Sequence, residues 1–378
     1  MSLLEVTDLR VSFNTADGVV HAVRGVSFSV ERGRTLGIVG ESGSGKSVST
    51  QTLMRLTPGA TVSGRALFEG QDLLTVSDKR MRRIRGAEVG MIFQDPLSSL
   101  HPLYRVGRQI EEMIKAHDPG ASRDQVRKRA VEMLDLVGIP QPERRAQEYP
   151  HQFSGGMRQR AMIAMALALN PKLIIADEPT TALDATVQAQ ILDLMRRLQR
   201  EFDTALIMIT HDLGVIADMA DEVLVMYGGK PAERAGRRDL YYRPHHPYTK
   251  GLLESVPSAA GGDRLSAIPG QPPSLINVPS GCVFHPRCPY VMDRCRTDDP
   301  PLREVGRDRL SPGVPHDSAC WLPVDAAGLD EETERLRLQA VSAGRSPIGH
   351  AREGHGGGHD GGHGGRQGGG RAGDGGVR

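Results

Sequence analysis

The stretch Leu36-Gly-Ile-Val-Gly40-Glu-Ser-Gly-Ser-Gly-Lys46-Ser47 decides the fold. Its first part is a short apolar run that reads as a buried strand. Its second part satisfies the phosphate-loop pattern G-x-x-x-x-G-K-S in full. Gly40, Gly43 and Gly45 allow successive backbone N–H groups, those of Ser42 and Ser44 among them, to turn inward around an anion. A helix beginning at the end of the loop presents its positive N-terminal end to the same anion. Lys46 is placed to reach the β- and γ-phosphates of a nucleotide, and Ser47 to put its hydroxyl on Mg2+. The competing reading is a Gly-rich turn that matches by accident, and the strand–loop–helix setting weighs against it.

Further along, Leu173-Ile-Ile-Ala-Asp177-Glu178 is an apolar strand ending in two acids. Side chains alternate along a strand, so the two carboxylates point differently. Asp177 suits a Mg2+ ligand held through water, and Glu178 suits the group that polarises an attacking water. The runs Val89-Gly-Met-Ile-Phe93 and Ala205-Leu-Ile-Met-Ile209 also read as strands buried on both faces. Apolar strands alternating with helical patterns predict an α/β domain over residues 1–235. A stretch rich in Arg, Glu, Met and Leu, from about Val106 to Val137, predicts an inserted helical subdomain.

Phe153-Ser-Gly-Gly-Met-Arg-Gln-Arg160 opens a helix just ahead of the carboxylate strand. It resembles the signature motif of the ABC ATPases. The resemblance implies a P-loop NTPase (RecA-like) core with an ABC helical subdomain and an antiparallel β subdomain. It also implies ATP and Mg2+ as cofactors. Gln94, in Ile92-Phe-Gln-Asp-Pro96, resembles the Q-loop that senses Mg2+ and the water and faces a membrane partner. Ala182-Leu183-Asp184 resembles the D-loop at the dimer seam, and His211 resembles the switch histidine that contacts the γ-phosphate. Phe13 is the match to the aromatic that stacks on adenine, with a plain core phenylalanine as the open alternative. Ser154, Gly155 and Gly156 begin a helix and so make a second anion seat. In the family that seat closes on the ATP held by the other subunit of a head-to-tail dimer.

After the ATPase core, Arg243-Pro-His-His-Pro-Tyr248-Thr-Lys-Gly-Leu-Leu253 resembles the H-P-Y-T-x-x-L-L segment of the oligopeptide and dipeptide importer ATPases. Ile268-Pro-Gly270 and Gly281-Cys-Val-Phe-His-Pro-Arg-Cys-Pro289 resemble the C-terminal extension of that subfamily, which nickel and glutathione importers share. The resemblance implies an ATP-hydrolysing subunit that powers peptide import through a separate permease. Its implied partners are a second ATPase subunit, usually a different one, and two permease subunits. An extracytoplasmic substrate-binding protein joins through the complex. The implied location is peripheral, on the cytoplasmic face of the inner membrane. A soluble ABC ATPase of non-transport function is the alternative. Such proteins usually carry two cores or a long coiled-coil insertion, and neither pattern occurs here.

Composition agrees with these readings. The chain has 378 residues, 38% of them hydrophobic, and a formal net charge of +1, so no overall field points to nucleic acid. No run of about 18 apolar residues predicts a membrane span, and the opening Met1-Ser-Leu-Leu-Glu-Val does not read as a secretory leader. A Pro-rich segment over residues 236–325 holds all four cysteines, Cys282, Cys288, Cys295 and Cys320. In a reducing compartment this favours metal over disulfides. Four thiolates can hold zinc or an iron–sulfur cluster. The wide intervals, five residues from Cys282 to Cys288 and six from Cys288 to Cys295, favour a [4Fe-4S] cluster, with zinc and free thiols as the alternatives. Loss of Cys288 is expected to loosen this extension and leave the ATP site, some distance along the chain, unaffected. Residues 326–378 are rich in Gly, His and Arg and are expected to be a disordered tail.

Overall fold

A computed structural model describes residues 2–181, 183–255, 268–307 and 314–323. The segment 326–378 and Ala182 of the D-loop lie outside the described residues. The strands in chain order are β1 (Ser2–Thr15), β2 (Gly18–Glu31), β3 (Thr35–Val39), β4 (Ala60–Phe68), β5 (Gln71–Asp72), β6 (Val89–Ile92), β7 (Leu173–Asp177), β8 (Ala205–Thr210), β9 (Glu222–Tyr227), β10 (Lys230–Gly236), β11 (Arg303–Arg307) and β12 (Pro315–Ser318). They form two sheets. One is antiparallel, ordered β2-β1-β4-β5; the other has eight strands, ordered β11-β12-β10-β9-β3-β8-β7-β6. The segment from β6 to β9 is parallel throughout, and β10, β12 and β11 continue it antiparallel.

The period of two along the parallel strands explains the layering. Leu36, Ile38, Ile175, Ile207, Ile209, Leu224 and Met226 face one apolar core, shared with the antiparallel sheet. Their neighbours Val39, Ala176, Leu206, Met208, Val223 and Val225 face the other core, shared with the helices. Because β3, β7 and β8 bury both faces, they read in the sequence as unbroken apolar runs.

The helical insertion differs from expectation. It is two helices, Val106–His117 and Arg123–Leu136, not one stretch. The break falls at Asp118-Pro119-Gly120. Proline disfavours helical backbone at the residue before it, and Asp118 leaves the helix there. Ser122 then restarts the second helix with a capping box. Its Oγ accepts from the Gln125 N–H at 3.2 Å, and the Gln125 side chain accepts from the Ser122 N–H at 2.8 Å.

The C-terminal extension is stitched onto the main sheet, since β12 pairs with β10 and β11 with β12. Its helix Pro247–Glu254 begins with proline at the first turn, capped by His246, whose Nδ1 accepts the Tyr248 N–H at 3.1 Å. Burial pulls His246 down to about 4, so that nitrogen stays unprotonated and able to accept.

Candidate functional site: the phosphate loop and its carboxylates

The loop between β3 and the helix Lys46–Leu53 takes a shape that only glycine allows at two points. Gly40 sits at φ +150° with the Met226 carbonyl where a Cβ would lie, and Gly45 sits at φ +95° against the Ala22 carbonyl. No side chain caps the helix at Gly45, which leaves its first amides for an anion. Lys46 is buried. Its Nζ donates to the Gly40 carbonyl at 2.7 Å and the Glu41 carbonyl at 2.9 Å, so the ammonium lies folded into the loop. Burial lowers its pKa from the ordinary lysine value, opposed by the charges of Glu178, Asp177 and Glu41.

The two acids at the end of β7 do point differently. Asp177 is buried and turns to the loop. Its Oδ1 accepts from the Ser47 hydroxyl at 2.7 Å, and its Oδ2 from Gln51 Nε2 at 3.3 Å. Burial raises its pKa, and those two hydrogen bonds oppose the rise. Glu178 adopts φ +48°, a left-handed backbone that costs energy for any residue with a Cβ. That turn swings its carboxylate to another set of partners. Oε2 accepts from Gln94 Nε2 at 3.1 Å and from the Thr181 hydroxyl at 2.9 Å, and His211 Nδ1 lies 3.3 Å from Oε1. Ser47, Gln94, the adjacent pair Asp177 and Glu178, and His211 are therefore brought together from four separate parts of the chain. The assembly sets a hydroxyl and a carboxylate beside a second carboxylate held by an amide, a hydroxyl and an imidazole.

Ser154, Gly155, Gly156 and Asp184 form a separate surface. Ser154 caps the helix Gly155–Leu167, its Oγ accepting from the Met157 N–H at 3.3 Å. Asp184 caps the helix Ala185–Phe202 through the Val187 N–H at 2.9 Å. Both caps are exposed, and the two helix starts abut, with a Cβ at Gly156 falling 2.9 Å from Val187 Cγ1. Phe13 lies in β1, partly buried against the core shared with the antiparallel sheet.

The four cysteines line one cavity, with His246, Phe284, Tyr290 and Trp321 among its other walls. All four are free thiols. Cys282 donates its N–H to the Cys295 carbonyl at 2.9 Å, and Gly281, at φ +64°, makes room for that carbonyl. Burial pushes the Cys282 thiol up to about 12 and Cys288 up to about 11, and it raises Cys320 as well; the neighbouring thiols add to each shift. Among the described residues no group of three His, Cys, Asp or Glu is placed to hold a metal ion.

Sequence reasoning missed five residues around the site. Gln51 and Thr181 grip the acids, and Glu41, Tyr248 and Arg287 tie the loop to the extension. The Glu41 N–H donates to the Tyr248 oxygen at 2.8 Å, and Arg287 pairs with the Glu41 carboxylate. The expected separation of extension and ATP site is thus corrected: the two are in direct contact. The available signals were Glu41 within the loop motif and Tyr248 within H-P-Y-T.

Comparison with known proteins agrees with this geometry. Residues 23–181 match the ABC transporter family, and residues 232–295 match the family described as Oligopeptide/dipeptide transporter, C-terminal region. The oligopeptide transport ATP-binding protein OppD of Bacillus subtilis is 54% identical over 308 residues, covering 80% of this chain and 86% of that protein. OppD of Salmonella typhimurium is 50% identical, covering 85% and 94%. The dipeptide transport ATP-binding protein DppD of Bacillus subtilis is 51% identical, covering 85% and 94%. Among solved structures, the dimeric cassette MJ0796 in a post-hydrolysis state bound to ADP and Pi is 28% identical. It matches with a TM-score of 0.56, covering 62% of this chain and 98% of that one. The chain belongs to the ABC transporter family, in the branch of the oligopeptide and dipeptide transport ATP-binding proteins.

Proposed function

We propose that this ABC ATPase hydrolyses ATP to drive import of di- or oligopeptides through a separate membrane permease. The observation that carries the reading is the Glu178 carboxylate, held by Gln94, Thr181 and His211 beside the Ser47–Asp177 pair. Lys46 would leave the loop carbonyls to meet the β- and γ-phosphates, which the amides at the helix start, those of Lys46 and Ser47 among them, would surround. Ser47 and Asp177 would hold Mg2+, with Gln94 close by. Glu178 would orient the attacking water, and His211 would meet the γ-phosphate. Phe13 is assigned to the adenine.

The exposed seat at Ser154, Gly155 and Gly156 has no phosphate of its own to bind. It would close on the ATP of a second ATPase subunit, with Asp184 at the seam, and a different subunit is the natural partner in this branch. Phe93, Leu103 and Tyr104 are exposed apolar side chains flanking the Gln94 segment, which supports docking of two permease subunits there. No helix among the described residues is long and apolar enough to cross a membrane. By its relation to the peptide-transport ATP-binding proteins, the subunit would work peripherally from the cytoplasmic face of the inner membrane, with a binding protein delivering substrate on the other side. Residues 1–235 would form the ATPase domain and 236–325 the extension.

Cys282, Cys288, Cys295 and Cys320 would hold a [4Fe-4S] cluster. The cavity that the four cysteines share supports this. Such a cluster would staple a small domain that has little core of its own.

The complex is to be purified from native membrane and placed in liposomes with its binding protein. Di- or oligopeptide should stimulate ATP hydrolysis and be taken up. Stimulation by nickel or glutathione alone would move the substrate assignment to those importers, and co-purification with no permease would favour the non-transport reading. The same preparation, kept anaerobic, should contain about four irons per chain. One zinc and no iron would reject the cluster.

A further inference from the structure

Glu41 is the first variable residue of the phosphate loop, and all three of its polar handles are occupied. Its N–H donates to Tyr248, its carbonyl accepts from Lys46, and its carboxylate takes a two-pronged ion pair from Arg287, with Nη1 to Oε2 at 2.6 Å and Nη2 to Oε1 at 2.9 Å. Arg287 is nearly buried, its side chain 5% exposed. Its other donors reach the Tyr227 hydroxyl at 3.2 Å, the Pro269 carbonyl at 2.8 Å and the Ile268 carbonyl at 3.3 Å. Five bonds thus match the five N–H groups of the guanidinium. An arginine so saturated has one position, and the loop carboxylate it grips has one position with it.

That position is set by the cysteine turn. Arg287 ends the short helix His285–Arg287, which starts from the Cys282 carbonyl and leads straight into Cys288. The guanidinium is therefore carried on the same turn that presents two of the four cysteines to their cavity.

We infer that Arg287 is a positioning residue for the phosphate loop, and that through Glu41 the four-cysteine turn sets the affinity for MgATP. The inference rests on the phosphate-loop reading of residues 40–47. If that reading fails, the wild-type chain will not bind MgATP at all, a result distinct from every outcome below.

The sign of one substitution tests it. Glu41→Gln removes a negative charge from a loop built for a triphosphate. Coulomb's law alone predicts tighter binding. Loss of positioning predicts weaker binding, by about fivefold or more. The measurement is the dissociation constant of a fluorescent ATP analogue with Mg2+ on the full chain, for wild type, Glu41→Gln, Arg287→Met and the double variant. Arg287→Met should weaken binding about tenfold. The double variant should be no worse than Arg287→Met, because the two residues act as one unit. Cys288→Ser should weaken binding too, and should add little to Arg287→Met. In steady-state hydrolysis the loss should fall on KM more than on kcat. Should Arg287→Met not fold, Glu41→Gln carries the test, since it keeps the side-chain shape and the hydrogen bond from the backbone N–H to the Tyr248 oxygen. Equal or tighter binding by Glu41→Gln would overturn the inference, as would fully additive effects in the double variant.

Discussion

Glu178 and Glu233 stand in the two halves of one sheet. Glu178 follows β7 in the parallel half. It is 16% exposed, in left-handed backbone, and its partners are the ends of three side chains at 2.9 to 3.3 Å. Glu233 lies within β10 in the antiparallel half, just past a register shift after Pro231, and is fully buried. Its carboxylate accepts from the backbone N–H groups of His245 at 2.7 Å and His246 at 3.0 Å, and from His316 Nε2 at 2.7 Å. Backbone amides cannot leave, whereas a glutamine, a threonine and an exposed histidine can. The first carboxylate is free to change partners when substrate arrives; the second is a fixed joint between β10, the start of the H-P-Y-T helix and β12. Burial and the nature of the donors tell them apart, and acidity alone does not.

Substituting each acid should separate the two roles. Glu178→Gln should lower kcat by about 10²- to 10⁴-fold with MgATP affinity retained, because the amide keeps the shape but cannot take a proton from water. Steady-state turnover near wild type would remove Glu178 from the mechanism. Glu233→Gln should instead cost about 3 kcal/mol of unfolding free energy in urea titration, since it breaks a buried charged network and leaves His316 without its partner. No shift in the urea midpoint would mean that the joint bears no strain.

The pH dependence sharpens the contrast. Burial pushes the Glu233 carboxyl up, but the hydrogen bond and charge of His316, together with the other hydrogen bonds to the carboxylate, the His245 N–H among them, more than offset it, so its pKa lies below the ordinary glutamate value. A lowered carboxyl stabilises the fold fully above that ordinary value, about pH 4.3, and the stabilisation is lost as pH falls through the lower folded-state value. Glu233→Gln should flatten this acid limb of the stability curve. The smallest effect belongs to Thr181→Val. It removes one of several movable bonds to Glu178, worth about 1 kcal/mol, so kcat should fall only about fivefold. A loss as large as that of Glu178→Gln would make Thr181 part of the fixed frame.

Much of this was legible beforehand, and the reason is locality. The strands at 36–39, 173–177 and 205–209 announce themselves because each buries both faces; the run at 89–93 gives the strand Val89–Ile92, which lies beside them at the end of the sheet with Phe93 exposed beyond it. The Gly40–Ser47 loop is a contiguous motif, so its shape follows from its own residues. The signature was legible as a helix start, which Ser154 caps; the D-loop was legible only by resemblance, and that Asp184 caps the helix Ala185–Phe202 was not foreseen. What stayed hidden was pairing at a distance. Arg287 meets Glu41 across 246 positions, and His316 meets Glu233 across 83. No periodicity encodes such a meeting; the joining of β12 to β10 brings His316 to Glu233, and the turn His285–Arg287 carries Arg287 to Glu41. The break at Pro119 was readable and was overrun by the composition of its flanks.

The pairing of β12 with β10 also bears on how this gene can be shortened. A chain ending soon after Gly236 would lose the strand opposite Glu233 and Arg234, together with His316. Strand β10 would become an open edge with unpaired amides, and a naked carboxylate would sit where burial was complete. Such an edge invites strands from neighbouring molecules. A late stop codon should therefore yield an aggregating product rather than a trimmed but working ATPase, even with every residue assigned to ATP still encoded.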